Sequence, residues 1–313
     1  MNRFSFVGRR LLQMIPVVLG ITIIAFFLIR LIPGDPVVAI LGNHYTPQLA
    51  KQMRSSLGLD QPIWQQYLIF MGNLAHGNLG DSIYYQQSVV SVILDRLPPT
   101  IWLVTYASVL ALLISLPLAV ASAVYRDGIV DQIIRSSFIV TLAMPSFWVG
   151  IILQIILSVH FRLFPVSGFG DGYSDRIYHL FLPALTIALG FSAVLIRSLR
   201  NSILSVMTAD YVDTARAKGL AGWRIMTRHI LRNALLPTVT IFGINIAFLM
   251  GSTVIIEDIF AVGGIGNLLI SAILQRDYGV VQGVVLLIAL FVVVINLLTD
   301  IAYALLDPRV NLA

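Results

Sequence analysis

The amino-acid sequence predicts an all-α membrane protein with six transmembrane helices. Its 313 residues are 58% hydrophobic and only 11% charged, whereas soluble domains carry about 25% charged residues. Six apolar stretches are long enough for a membrane helix, which needs about 20 residues to cross the hydrocarbon core. Each stretch must be helical, because unpaired backbone groups in lipid are costly.

The first predicted span follows Arg3, Arg9 and Arg10. It is longer than the apolar core of a signal peptide and lacks a small-residue cleavage site, so we expect it to stay uncleaved. Prolines inside or near a span are tolerated when neighbouring helices cover the freed carbonyl groups. The six predicted spans are Leu11–Ile29, Ile101–Val124, Phe138–Val159, Leu180–Ile196, Leu235–Ile256 and Val281–Leu305.

The distribution of Arg and Lys predicts the orientation. With the N-terminus inside, thirteen of these residues fall in inner segments and seven in outer segments. Cytoplasmic loops carry the excess of positive charge, so both termini are predicted to be cytoplasmic. Seven of the thirteen lie between Arg197 and Arg232, which places that loop inside.

The stretch between the first two spans, residues 33–100, is too long for a simple connector. It contains two predicted short helices, Pro47–Leu57 and Ile63–Leu74, broken at Gly58. We therefore expect a small extracytoplasmic subdomain, which either contacts a partner or only caps the fold. The predicted division is residues 1–32 for the first span, 33–100 for this subdomain and 101–313 for a transmembrane core of five helices.

Two further outer segments are predicted. Residues 161–178 are glycine-rich but lack the ligand spacing and closing glutamate of a calcium loop, so we expect a connector. The glycines of the segment Glu257–Gly283 do not match a dinucleotide-binding pattern. We predict a re-entrant or lateral helix at the outer surface for this segment.

The most informative stretch is polar and basic and runs from Asp210 to Pro237. Asp210 is expected to cap a helix with Asp213 as the reciprocal acid, and Gly219 to end that helix in a left-handed conformation. In the helix that follows, Arg224, Arg228 and Arg232 recur every four residues on one face. Trp223, Met226 and Ile230 are predicted to form the opposite, apolar face. The orientation bias explains the arginines equally well, but it does not explain the glycine break.

This stretch resembles the cytoplasmic loop of ABC-importer permeases that inserts into a groove of the ATPase subunit. The family pattern is an acid, two alanines, three residues and a glycine, for which this chain has Asp213-Thr214-Ala215 and Gly219. Thr214 departs from alanine, and the distance from Gly219 to Pro237 is longer than in most of the family. The sequences TARAKG and HILRNALLP, with IPGDP and HGNLGDSI nearer the N-terminus, are similar to the dipeptide/oligopeptide branch.

The resemblance implies a type I ABC-importer permease fold with an ATPase-coupling loop at residues 197–237. It implies Asp213, Ala215 and Gly219 for the loop turn, with Trp223, Met226 and Ile230 as apolar contacts and Arg224 and Arg228 as a charged rim. The implied partners are a second homologous permease, two ATPase subunits that bind ATP and Mg, an extracytoplasmic binding protein and membrane lipid, but no nucleic acid. The implied location is the bacterial inner membrane. The implied substrate is a short peptide, with glutathione or nickel as the alternative within this branch.

The sequence has no recognisable catalytic or metal motif. Its only lysines, Lys51 and Lys218, do not follow the phosphate-binding glycine pattern, so we expect no ATP hydrolysis by that route. Its five histidines are scattered without ligand spacing, and we expect no metal or cofactor in this chain. Asp300, toward the inner end of the last span, is a possible intramembrane charge. It either marks an ion pathway or pairs with an arginine or a partner subunit. A stand-alone secondary transporter or channel is the rival class, and the scarcity of such charges disfavours it.

Overall fold

The computed structural model describes residues 3–31, 46–56 and 60–306, together with the single residues 37, 41 and 58. Within these residues the regular secondary structure is helical, apart from one isolated β-bridge between Asp81 and Ser88. The all-α class is therefore confirmed. The helices are α1 Arg3–Leu31, α2 Pro47–Ser56, α3 Ile63–Ala75, α4 Val89–Val124, α5 Ile129–Ala143, α6 Ser146–Leu153, α7 Tyr173–Met207, α8 Asp210–Ala217, α9 Gly222–Ile225, α10 Leu231–Ile259, α11 Ile265–Leu274 and α12 Tyr278–Leu306.

Four predicted spans correspond to helices long and apolar enough to cross a membrane, in α4, α7, α9–α10 and α12. The predicted first span falls in α1, whose apolar described part, Leu12–Phe27, is shorter. Among the described residues the count is thus four, or five if one bent helix pair is a single span. The number six stays a prediction.

The third predicted span, Phe138–Val159, is not one continuous helix, although the two helices that contain it pass the length and composition test for a span when taken together. The chain bends by 104° between α5 and the helix that begins at Ser146 and continues to His160. Met144 at the bend is extended, with φ −88° and ψ 133°. The cause is local, because the ring of Pro145 disfavours the α conformation at the residue before it. The final turns, Gln154–His160, are π-helical.

The chain divides into two compact units. Of the residues that the structure describes, those up to 98 and those in 264–293 form one unit, and those in 99–263 and from 294 onward form the other. In the second unit, α10 and α12 pack closely, since a methyl group on Gly243 would lie 2.6 Å from Thr299 Cβ. Residues 99–263 also hold the site described below.

The first unit contains the two short predicted helices and their break, which are confirmed as α2 and α3 around Gly58, at φ +66°. Tyr67 of α3 reaches α1, where its hydroxyl lies 2.8 Å from Thr22 Oγ1. In the same unit a buried carboxylate, Asp277, accepts hydrogen bonds from Ser82 Oγ at 2.5 Å and from the backbone N–H of Tyr84 at 3.2 Å. This carboxylate fixes the loop before α4 to the loop before α12.

Candidate functional site

The two helices α8 and α9 are joined at Gly219, as the sequence predicted. Gly219 has φ +73°, a conformation that glycine adopts without the penalty an L side chain would meet. Its N–H donates to the carbonyl of Arg216 at 2.9 Å, and the N–H of Leu220 donates to that of Ala215 at 3.3 Å. These bonds satisfy carbonyl groups left open at the end of α8, so the glycine is the C-terminal stop of that helix.

The start of α8 differs from the prediction. The capping position is Ala209, and no side chain caps the helix there. Asp210 is the first helical residue and Asp213 lies in the same turn. Both acids face the positive end of the helix dipole, which is favourable without a capping hydrogen bond. Asp213 instead forms an exposed ion pair with Arg216 at 3.0 Å, and such pairs contribute little to stability.

The buried face of this loop is part of a hydrophobic core. Val212 and Ala215 of α8 and Ile225, Ile230 and Ala234 after the turn are 5% exposed or less. They join one buried cluster with residues of α4, α5 and α7: Ala119, Ala123, Ile134, Phe138, Ala193, Ile196, Leu199 and Ile203. The loop is therefore packed against three helices of the membrane region, α4, α5 and α7.

The solvent-exposed face of this loop carries an aromatic ring and cations. Trp223 is 68% exposed, and the guanidinium of Arg224 lies 5.6 Å from its ring centroid. Arg228 and Arg232 are also exposed. A large apolar ring held at the surface beside arginines has the composition enriched at protein–protein contacts.

The predicted apolar face of Trp223, Met226 and Ile230 was wrong. Trp223 points to the surface, Ile230 is 2% exposed and Met226 is half-buried against the core cluster. The reason is that residues Met226–Ile230 form a π-helical turn. A π turn holds more residues than an α turn, so it shifts the angular register that a 3.6-residue period assumes. Ile225 takes the buried position instead.

Sequence reasoning missed a buried ion pair beside this loop. Asp131, at the start of α5, is fully buried, and its carboxylate accepts bonds from Arg200 of α7: Nε to Oδ1 at 2.9 Å and a second nitrogen to Oδ2 at 2.6 Å. Ser122 Oγ of α4 and the N–H of Asp127 donate to the same carboxylate. The pair is bidentate and satisfied, the arrangement in which a buried ion pair is tolerated. Both charges stood in the sequence, but no spacing linked them across 69 positions.

Asp300 lies in α12, is half-buried and has an interaction partner. An ion-pathway role for it stays a prediction. Over the described ranges, no group of three or more His, Cys, Asp or Glu side chains is arranged to hold a metal ion.

Comparison with known proteins identifies the class. Residues 115–312 match the family described as binding-protein-dependent transport system inner membrane component, and residues 1–104 match the family that describes the N-terminal part of such a membrane component. The fold is similar to the MetNI methionine ABC transporter solved in inward-facing conformations, with a TM-score of 0.59 at 16% identity, covering 69% of this chain and 96% of that one.

Relatives match over almost the full length. The oligopeptide transport system permease protein AppB of Bacillus subtilis is 40% identical, over 98% of this chain and 99% of the relative. The di/tripeptide transport system permease protein DppB of Pseudomonas aeruginosa is 39% identical, over 98% of both chains. The dipeptide transport system permease protein DppB of Escherichia coli K12 is 36% identical with the same coverage.

These matches define a membrane-embedded permease subunit of an ABC importer. The chain belongs to the family of binding-protein-dependent transport system inner membrane components. In such systems the ATPase is a separate subunit, so this chain is a transport component and not itself an enzyme.

Proposed function

We propose that this chain translocates short peptides as one of two permease subunits of an ABC importer. The observation that carries the proposal is the full-length similarity, at 36–40% identity, to three relatives whose names specify oligopeptide, di/tripeptide or dipeptide transport. The complex would contain a second homologous permease, two ATPase subunits holding ATP and Mg, and an extracytoplasmic binding protein. Both termini and the loop of residues 197–237 would be cytoplasmic.

The coupling role of the loop rests on its two faces. Trp223, Arg224 and Arg228 are exposed and would enter the ATPase groove, the ring as an apolar anchor and the guanidinium groups as its rim. Ile230 and Met226, which the sequence assigned to that contact, would instead pack with Ala215 against the core cluster that supports the loop. Asp213 and Gly219 would fix the angle between α8 and α9.

The proposed mechanism is a two-state switch. Closure of the ATPase dimer on ATP would move the loop, and the shared core would carry that movement to α4, α5 and α7. ATP favours one state only by the difference in contacts between the two states. The buried pair of Asp131 and Arg200 would keep these helix ends moving as one body, because separating its charges is costly.

The test is uptake by cells and by proteoliposomes. The chain is expressed with its neighbouring transport genes in a strain that lacks peptide permeases, and uptake of labelled dipeptide, tripeptide, glutathione and nickel is measured. We expect that at least one peptide is taken up, and that this uptake requires both ATP and the binding protein. ATP-dependent uptake of glutathione or nickel alone would overturn the substrate, and uptake by the isolated chain without ATP would overturn the class.

A further inference from the structure

A cleft of about 550 Å³ lies between α5 and α7, close to the buried ion pair. Four arginines line it, namely Arg126, Arg135, Arg197 and Arg200. Its remaining wall is largely apolar and includes Ile139 and Leu142. The proposed coupling function makes no use of this cleft.

The charge in the cleft is not balanced. Arg200 is neutralised by Asp131, and Arg126 forms an ion pair with Asp127 at 3.2 Å. Arg135 and Arg197 are exposed, and no carboxylate pairs with either of them within the part of the chain that the structure describes. Two guanidinium groups therefore face the cleft with their donors available, and such planar forks bind phosphate oxygens well.

The apolar wall restricts which anion fits. Ile139 and Leu142 follow Arg135 by four and seven residues, so the three side chains share one face of α5. At a rise of 1.5 Å per residue, they lie about 6 Å and about 10 Å beyond the arginine along the helix. Ile139 is 60% and Leu142 is 47% exposed. A small hydrophilic anion would leave this wall in water, whereas a phosphate attached to an acyl chain would cover it.

We propose that the cleft binds an anionic phospholipid, with its phosphate between Arg135 and Arg197 and the start of an acyl chain along Ile139 and Leu142. Basic pockets between membrane helices are known to hold anionic headgroups. Phe138, which also lines the cleft, belongs to the core cluster that supports the loop of α8 and α9. Lipid occupancy consequently stabilises the helices on which that loop rests.

The test is native mass spectrometry of the full-length chain, purified in detergent with whatever subunits accompany it, and titrated with phosphatidylglycerol, phosphatidylcholine or inorganic phosphate. The variant is R135Q/R197Q. The matched control is R162Q/R276Q, which removes two exposed cations outside both the cleft and the loop of residues 197–237. R135K/R197K keeps the charge and reports whether side-chain replacement at these positions damages the fold.

We expect the unmodified chain and the control to retain phosphatidylglycerol in preference to phosphatidylcholine. The glutamine variant should lose about thirtyfold in phosphatidylglycerol affinity, the effect of two basic residues near an anionic lipid, and the lysine variant should keep most of it. Equal retention by the glutamine variant and the control overturns the proposal. So does saturable binding of inorganic phosphate alone, which assigns the cleft to a soluble anion. Loss of a companion subunit in the glutamine variant also overturns it, because the cleft is then a protein contact.

Discussion

The turn at Gly219 offers the sharpest single-residue prediction. A methyl group placed on this glycine would meet no atom within 4 Å, although φ is +73°. Substitution by alanine therefore changes only the backbone preference and creates no clash. An L residue in the left-handed region costs about 1–2 kcal/mol. Asparagine tolerates that region better than alanine, and a β-branched valine tolerates it worst.

Since about 1.4 kcal/mol corresponds to a tenfold change in an equilibrium, G219A should lower the population of the observed turn, relative to competing turns, by about 5- to 30-fold. The loss of the observed turn should increase from asparagine to alanine to valine at position 219. Insertion into the membrane should persist, because the loop stays anchored by buried Val212, Ile225 and Ile230.

The assay is ATPase activity of the assembled complex in proteoliposomes, with and without the substrate-loaded binding protein. We expect unchanged assembly but a graded loss of stimulation across the series. G222A is the matched control: a methyl group there also meets nothing within 4 Å, and its φ is not in the left-handed region. Full stimulation and uptake in G219V would refute the assignment of Gly219 to the turn that couples ATPase and permease.

Three further predictions concern stability, measured by detergent unfolding of the purified chain. R200A should destabilise by about 3–5 kcal/mol, because it leaves buried Asp131 without its partner. If R200A cost no more than R200K, which keeps the positive charge, the result would contradict this. G243A should cost about 1–3 kcal/mol by overpacking against Thr299, with part of the loss recovered in G243A/T299G; a neutral G243A would show that α10 and α12 separate easily. D277N should cost about 1–3 kcal/mol, since an amide nitrogen cannot accept the hydrogen bonds that the carboxylate receives; unchanged stability would show that those bonds are replaced by water.

Most of the fold was predictable because its determinants are local in sequence. Long apolar runs specify helices in lipid whatever surrounds them, so four spans appear in the structure near their predicted positions. The turn at Gly219 was equally local, since one residue type readily adopts a positive φ at a helix end. The bend at Met144 follows from the next residue, Pro145, where a tolerable kink was expected but not a turn of 104°.

The rest of the site depends on tertiary packing. The π turn of Met226–Ile230 rotates Trp223 away from Ile230. The periodicity of the sequence does not predict a π turn. The pair of Asp131 and Arg200 joins two helices that are distant in sequence. In a single sequence each residue resembles any other charge near the end of a span, and only the fold brings them together.

We expect the exposed ring of Trp223 to contact the ATPase subunit. The chain contains no cysteine, so W223C can be labelled with a benzophenone maleimide at that position alone. Tyr173, which is 76% exposed and predicted to lie at the opposite membrane surface, provides the control Y173C. After irradiation of native membranes, we expect W223C to form an adduct with a subunit that carries a nucleotide-binding motif, and Y173C to form none with it. An ATPase adduct from Y173C, or adducts of W223C with lipid only, would contradict the account.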